Sequence, residues 1–197
     1  NNTIFGTKWH YLPETGAVPL VADMSSSILS EPVDVEKFAL IYAGAQKNIA
    51  PAGLTLVIVR EDLLTKELPA YVPTMCNYFV MAENGSMYNT PPCYPIYICK
   101  LVLEWIKGMG GLSAMKAHNE KKAALLYDYL ETSKLFKSPV EPKSRSMMNV
   151  TFRAEDDDVN AKFVKEATAE GFANLKGHRS VGGMRASIYN AMPIEGV

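Results

Sequence analysis

Three short apolar blocks stand out early in this chain: Pro19-Leu20-Val21-Ala22, closing on Asp23; Ala39-Leu40-Ile41-Tyr42; and Gly53-Leu54-Thr55-Leu56-Val57-Ile58-Val59. Each has the length of a strand and little polar alternation, the pattern of strands covered on both faces. Pro69, Pro73 and Glu83-Asn84-Gly85-Ser86 mark irregular chain, and Asn89-Thr90-Pro91-Pro92 favours extended or turning backbone ahead of a helix. In that helix Ile98, Leu101, Val102, Trp105 and Ile106 recur at the 3.6-residue period, which puts Trp105 on the core stripe, and Gly108, Gly110 and Gly111 end it. The glycine cluster is the expected boundary between a domain over residues 1–109 and a second over 110–197. Beyond it, Ala114, Met115, Ala123, Leu125, Leu126 and Leu130 predict a helix over 112–133, Met148-Asn149-Val150-Thr151-Phe152 alternates as a half-buried strand, and a further helix fits 159–169. Short strands at Ala173-Asn174-Leu175 and Arg185-Ala186-Ser187-Ile188 complete a small layer with helices on one face of a sheet, so the expected class is α/β.

Composition adds bounds. The chain has 197 residues, 48% hydrophobic and 21% charged, enough for one sizeable core or two modest ones and too apolar for disorder. With 20 basic and 21 acidic residues the formal net charge is -1, so no global basic field draws nucleic acid or an anionic membrane, and any anion site must be local. Cys76, Cys93 and Cys99 form neither a CxxC pair nor an even disulfide framework; buried packing in a reducing, cytoplasmic setting is the expectation. No apolar run reaches the length of a membrane span, and the first residues lack the pattern of a signal peptide. Asn-x-Ser/Thr matches begin at Asn1, Asn84 and Asn149, a pattern too short to assign glycans.

Candidate chemistry centres on Lys47. Tyr42-Ala43-Gly44-Ala45-Gln46-Lys47-Asn48 sets one lysine among small residues in the turn between two predicted buried strands, where a rigid scaffold can aim it. A lysine forms a Schiff base with an aldehyde only from its neutral amine, and close packing enlarges that population. Asp23, at the end of another strand, supplies a charge that keeps a pyridinium nitrogen protonated. Together they point to pyridoxal phosphate; the rival reading makes Lys47 and Asp23 ordinary turn and helix caps. Gly177-His178-Arg179, followed by Arg185, is an anion-binding candidate, since a guanidinium grips phosphate or carboxylate through two parallel hydrogen bonds, though basic residues beside glycines also make solvated loops. Asn89 and Thr90 can donate to a phosphate or simply form a turn. His10 and His118 have no partner at metal-ligand spacing.

The blocks Val21-Ala22-Asp23-Met24-Ser25-Ser26, Ala43-Gly44-Ala45-Gln46-Lys47-Asn48, Met87-Tyr88-Asn89-Thr90-Pro91-Pro92 and Gly177-His178-Arg179-Ser180-Val181-Gly182-Gly183-Met184-Arg185-Ala186-Ser187 resemble, in order and spacing, the phosphoserine aminotransferase family. The resemblance implies a fold-type I pyridoxal-phosphate transferase. Residues 1–109 would be the latter part of its large, mainly parallel-sheet domain and 110–197 most of its small C-terminal domain. It implies that Lys47 carries the cofactor, that Asp23 pairs with its ring nitrogen, and that Thr3 and Gln46 lie near its oxygen and phosphate groups. Asn89 and Thr90 would reach the cofactor phosphate of a neighbouring subunit in a homodimer. His178 and Arg179 would hold the substrate phosphate and Arg185 the α-carboxylate. The implied reaction exchanges an amino group between glutamate and 3-phosphohydroxypyruvate, giving 2-oxoglutarate and phosphoserine in serine biosynthesis. Against this family the chain resembles a fragment: it opens on Asn1-Asn2-Thr3-Ile4 without an initiator methionine and stops at Glu195-Gly196-Val197 before the usual last helix, with the ring-stacking tryptophan expected in a preceding segment. Two departures are Asn2, where Glu is more usual, and Ala50, where Gly is common and where a positive φ would strain alanine. Two rival expectations are an aminotransferase of the same fold type acting on an unphosphorylated substrate, and a non-catalytic dimerising module.

Overall fold

In the computed structural model, which describes residues 2–65 and 67–197, the three early apolar blocks form one sheet. Its strands are β1 (Val21–Asp23), β2 (Leu40–Gly44) and β3 (Thr55–Val59), in the order β1-β2-β3. β1 runs parallel to β2, with Val21 beside Leu40 and Asp23 beside Tyr42, whereas β2 and β3 are antiparallel, with Leu40 beside Val59 and Gly44 beside Thr55. The sheet is therefore mixed. Ile41 and Ala43 of the central strand are buried, and Ala43 packs with Ile28, Ala45 and Ile49 from the turns that follow β1 and β2. Cover on both faces was expected and is not found: β1 and β3 are edge strands, and Val21, Tyr42, Leu56 and Ile58 remain exposed, Val21 at 55%.

The stretch read as irregular holds a short helix, α1 (Tyr78–Glu83), which the sequence reading missed because its start signal is a single Asn. Asn77 caps it by accepting from the Phe79 and Val80 amides, and Gly85, at φ 56°, lies just beyond its end. α2 (Cys93–Gly108) and α3 (Gly111–Thr132) follow, joined at Met109 and Gly110, whose φ of 101° suits the glycine found there. Trp105 is not core as predicted. It is 40% exposed, and Ile106 is the residue of the α2 stripe that is buried, because α2 packs through only part of that stripe. Buried packing is likewise not found for the thiols: Cys76 and Cys93 are exposed, and Cys99 is half-buried on the inner side of α2 against the Ile28–Ile49 cluster.

The last third pairs β4 (Asn149–Phe152) antiparallel with β5 (Met184–Ser187), placing Asn149 beside Ser187 and Thr151 beside Arg185. α4 (Asp157–Ala169), capped by Asp156, joins α3 on this ribbon. Phe136, Phe152 and Phe163 meet edge to face, their centroids 4.9 to 5.9 Å apart, within a cluster that includes Tyr127, Leu130, Val150 and Met184. The predicted strand at Ala173–Leu175 is not one: Asn174 takes φ 62°, which breaks the extended run, and only an isolated bridge from Lys176 to Met184 continues the pairing.

Buried amides tie the two layers together. Asn119 donates from Nδ2 to the Ser30 carbonyl at 3.0 Å and to Asn190 Oδ1 at 2.9 Å; Asn190 donates from its backbone to Asn48 Oδ1 and from Nδ2 to the Leu29 carbonyl. The N-terminal loop is fastened to the far layer as well. Gly6 packs where a Cβ would lie 2.6 Å from the Asn149 carbonyl, its own carbonyl accepts from the Ser146 amide, and Thr151 Oγ1 donates to the Phe5 carbonyl. That loop carries Thr3 to the turn holding Lys47.

Candidate active site

Lys47 sits in the turn directly after β2, whose amides at 47, 49 and 50 all donate to the Ala45 carbonyl. This tight hydrogen-bonded turn turns the half-buried lysine back toward the N-terminal loop, where Nζ donates to Thr3 Oγ1 at 2.6 Å. Burial pushes the Lys47 amine below its ordinary value, Asp23 pulls the other way, and the Arg185 charge lowers it further. Asp23, at the end of β1, accepts from the Ser25 amide at 2.8 Å. Its partial burial would raise its pKa, but bonds from the Ser25 side chain and backbone, with the Lys47 charge, leave the carboxyl below the usual range and ionised at neutral pH.

Arg185 enters from β5. Its Nη1 approaches the Thr3 carbonyl at 3.5 Å, while Nε is buried without a hydrogen-bond partner among the described residues. An arginine N–H left unsatisfied in a buried position is costly unless an acceptor arrives, so the guanidinium is poised for an anion. Thr3, Asp23, Lys47 and Arg185 are thus brought to one place, by four segments far apart in sequence. This set fits a cofactor aldehyde with a basic ring nitrogen and an acidic substrate: a depressed amine, a fixed carboxylate beside it and an unsatisfied guanidinium.

The remaining candidates are less closely assembled. Gln46 is exposed and folds over Gly44, where a Cβ would lie 2.8 Å from its Oε1. His178 is half-buried and Arg179 exposed, on a loop closed by bonds from the Gly177 amide to the Gly183 carbonyl and from the Val181 and Gly182 amides to the His178 carbonyl. Glycine is required at 177, because a Cβ would sit 2.0 Å from the Gly182 carbonyl oxygen. His178 Nδ1 pairs with Ser180 Oγ at 2.7 Å, which orients the ring. Asn89 and Thr90 are exposed, Asn89 Nδ2 donates to the Thr90 carbonyl, and neither side chain hydrogen-bonds to Lys47. Asp23 borders a hollow of about 350 Å³ with Trp9 and Tyr11, and Lys47 borders another of about 410 Å³ with Trp105 and Asn190. Ala50 has no positive φ, so the strain considered for it does not arise.

Sequence reasoning missed Tyr189 and Asn149. Asn149 is fully buried and meets the Tyr189 hydroxyl through Nδ2 at 3.2 Å and Oδ1 at 3.3 Å, and burial raises the Tyr189 pKa although bonds to Asn149 and Thr3 and the Arg185 charge oppose it. The available signal was a polar residue, Asn149, inside the segment 148–152 that alternates as a strand, but alternation alone does not single out a functional partner.

Comparison with known proteins gives a consistent picture. The family model described as aminotransferase class-V matches residues 1–197. A phosphoserine aminotransferase of Listeria innocua is 62% identical over 197 residues, all of this chain and 53% of that protein. The solved phosphoserine aminotransferase of Bacillus circulans subsp. alkalophilus is 51% identical with a TM-score of 0.95, covering 100% of this chain and 54% of that one. A pyridoxal-phosphate-bound phosphoserine aminotransferase from Trichomonas vaginalis is 40% identical with a TM-score of 0.94, covering 100% and 56%. The chain spans about half the length of the curated relatives it matches.

Proposed function

The chain belongs to the class-V aminotransferase family, and from that premise we propose that it forms part of a pyridoxal-phosphate-dependent phosphoserine aminotransferase. The reaction is transfer of an amino group between glutamate and 3-phosphohydroxypyruvate, yielding 2-oxoglutarate and phosphoserine. The observation that carries this reading is Lys47 Nζ on Thr3 Oγ1, with the Asp23 carboxylate and the Arg185 guanidinium acting on the same amine. The likeness to phosphoserine aminotransferases over the whole chain supports the choice of substrate.

When bound, the cofactor supplies an aldehyde for covalent attachment and an electron-withdrawing ring. The chain's own residues do the rest. Lys47, whose amine burial makes less basic, is the nucleophile for that attachment and, once displaced, the base that moves a proton at Nζ. Asp23 stays ionised and supplies the counter-charge for a ring nitrogen, and Thr3 offers its hydroxyl beside Lys47. Arg185 turns its unsatisfied Nε toward the substrate α-carboxylate, while His178 and Arg179, on their glycine-framed loop, take the substrate phosphate. Gln46 would lie near the cofactor's phosphate. Asn89 and Thr90, exposed on the surface, serve the cofactor phosphate of a second copy in a cytoplasmic homodimer. The domain division falls at 109/110, in keeping with the separate apolar clusters around Ile28 and around Val150.

The test is amino transfer from glutamate to 3-phosphohydroxypyruvate by the purified protein and by Lys47→Ala. Loss of turnover by at least about a thousandfold in a folded variant is expected of a residue with both roles. Turnover retained in Lys47→Ala, or absence of transfer by the wild type in the presence of the cofactor, contradicts the proposal.

A further inference from the structure

Three successive carbonyls in the turn that follows Asp23 each take a side-chain amide from a different asparagine. Asn48 Nδ2 donates to the Ile28 carbonyl at 3.0 Å, Asn190 Nδ2 to that of Leu29 at 2.8 Å and Asn119 Nδ2 to that of Ser30 at 3.0 Å. The three amides also join one another: Asn119 Nδ2 donates to Asn190 Oδ1 at 2.9 Å, and the Asn190 backbone amide to Asn48 Oδ1 at 3.1 Å. A backbone group can only donate or only accept, so the carbonyls at 28, 29 and 30 and the amide at 190 fix the orientation of every side-chain amide in the set. All three asparagines are buried, Asn119 at 0% and Asn190 at 2% exposed. Groups so enclosed cannot trade these partners for water, and each bond therefore fixes position.

The turn they hold is strained. Leu29 takes φ 61°, in the left-handed region, and a leucine stays there only where its surroundings over-determine it. Both ends of this arrangement bear on the site: the Ser25 amide, early in the turn, donates to the Asp23 carboxylate, and Asn48, bonded to Ile28, follows Lys47 directly. On the opposite side, the chain from Arg185 to Asn190 is a stiff strut. Arg185 and Ser187 lie in register with Thr151 and Asn149 of β4, the Ile188 amide donates to the Met148 carbonyl, and Lys122 Nζ donates to the carbonyls of Ile188 and Tyr189. Resting on the reading of Lys47 as the cofactor lysine and of Arg185 as the residue that grips the α-carboxylate, we propose that Asn190 is a positioning residue, which sets the turns of Asp23 and Lys47 in register with the strand that carries Arg185.

Asn190→Ala keeps the backbone bond to Asn48 but deserts the Leu29 carbonyl and the Asn119 amide, so the strained turn is free to relax. Arg185 keeps its own strand pairing; glutamate is still gripped, but Lys47 meets it out of register. In single turnovers of the protein loaded with pyridoxal phosphate, the maximal rate with glutamate should fall at least about tenfold, while the half-saturating glutamate concentration stays within about twofold of wild type. A role in folding alone would lower the amplitude of the reaction and leave its rate unmoved. Hydrogen exchange without cofactor is the second readout: the amides of residues 24–30 should exchange at least about tenfold faster, and those of β4 and β5 as in wild type. Should Asn190→Ala not fold, Asn119→Ala carries the same test, because it removes the donor to Asn190 together with an Oδ1 that is buried without a partner among the described residues; a rate loss of at least about threefold is expected there. An unmoved rate or unmoved exchange in a folded variant, or a fall in amplitude alone, overturns the proposal. Borohydride trapping of pyridoxal phosphate on the wild type reads the premise separately: an adduct at Lys47 with an unmoved rate in the variants sinks the positioning role alone, whereas no adduct sinks the cofactor reading and the positioning role with it.

Discussion

Replacing Lys122 by Met should cost the protein more at alkaline than at neutral pH. Lys122 lies on α3 with its side chain fully enclosed, and Nζ donates to the carbonyls of Ile188 at 3.1 Å, Tyr189 at 2.8 Å and Met192 at 3.0 Å. Burial pushes the amine from 10.5 down to about 8. The folded state thus holds this proton less tightly than the unfolded chain, and between the two values unfolding takes up a proton, so stability rises with pH. From those two values, the Lys122 contribution improves by about 2 kcal/mol between roughly pH 7 and 9.5 and is flat at lower pH. The neutral amine that dominates at the upper end still has two N–H donors. Met keeps the unbranched stem and removes them, a loss of about 1 kcal/mol for each carbonyl deserted, or about 2 kcal/mol. Lys122→Met is therefore expected to lose about 2 kcal/mol more stability relative to wild type near pH 9.5 than near pH 7. Urea unfolding of both proteins at matched ionic strength and concentration measures this, and Lys8 and Lys47, whose amines are also depressed by burial, titrate in both proteins and cancel in the difference. A cost that is equal at the two pH values, or larger at pH 7, refutes the reasoning.

Three other outcomes follow from the geometry. Gly177→Ala drives a Cβ to 2.0 Å from a backbone carbonyl oxygen, so the loop must open; a loss of about 2 kcal/mol in thermal or chemical denaturation is expected, and wild-type stability would contradict it. Arg179→Ala should weaken phosphoserine binding by tenfold or more while leaving glutamate binding within about twofold, as measured by calorimetric titration, because only one substrate carries phosphate. Arg185→Lys should instead raise KM for both amino donors by about tenfold, since a point charge cannot reproduce the bidentate grip on a carboxylate; an effect on one substrate alone would place Arg185 elsewhere.

Much of the fold is written in local patterns. The apolar blocks around Val21, Ile41 and Val57 became strands, and Gly110 divides two helices as its neighbours required. What failed was tertiary. Trp105 carries the period of a core position, yet periodicity names the apolar stripe of a helix and not how much of it another element covers, and α2 buries only Ile106. Ala173–Leu175 lost its strand to one residue, Asn174, that accepts the left-handed region. Lys47 and Asp23 were legible because chemistry demands those residue types after strands, whereas Tyr189 and Lys122 were not: their importance comes from burial against partners, Asn149 and the carbonyls of 188–192, that are remote in sequence. Arg185 was legible as an anion-binding candidate beside the Gly177-His178-Arg179 segment, its α-carboxylate role came from resemblance, and the structure adds its unsatisfied Nε.

The central claim is that Lys47 is the one amine adapted to hold the cofactor. Incubating the protein with pyridoxal phosphate, reducing with borohydride and mapping the peptides by mass tests it directly. A single reduced adduct on Lys47 is the predicted result; no adduct, or labelling scattered over exposed lysines with no preference for Lys47, contradicts the account.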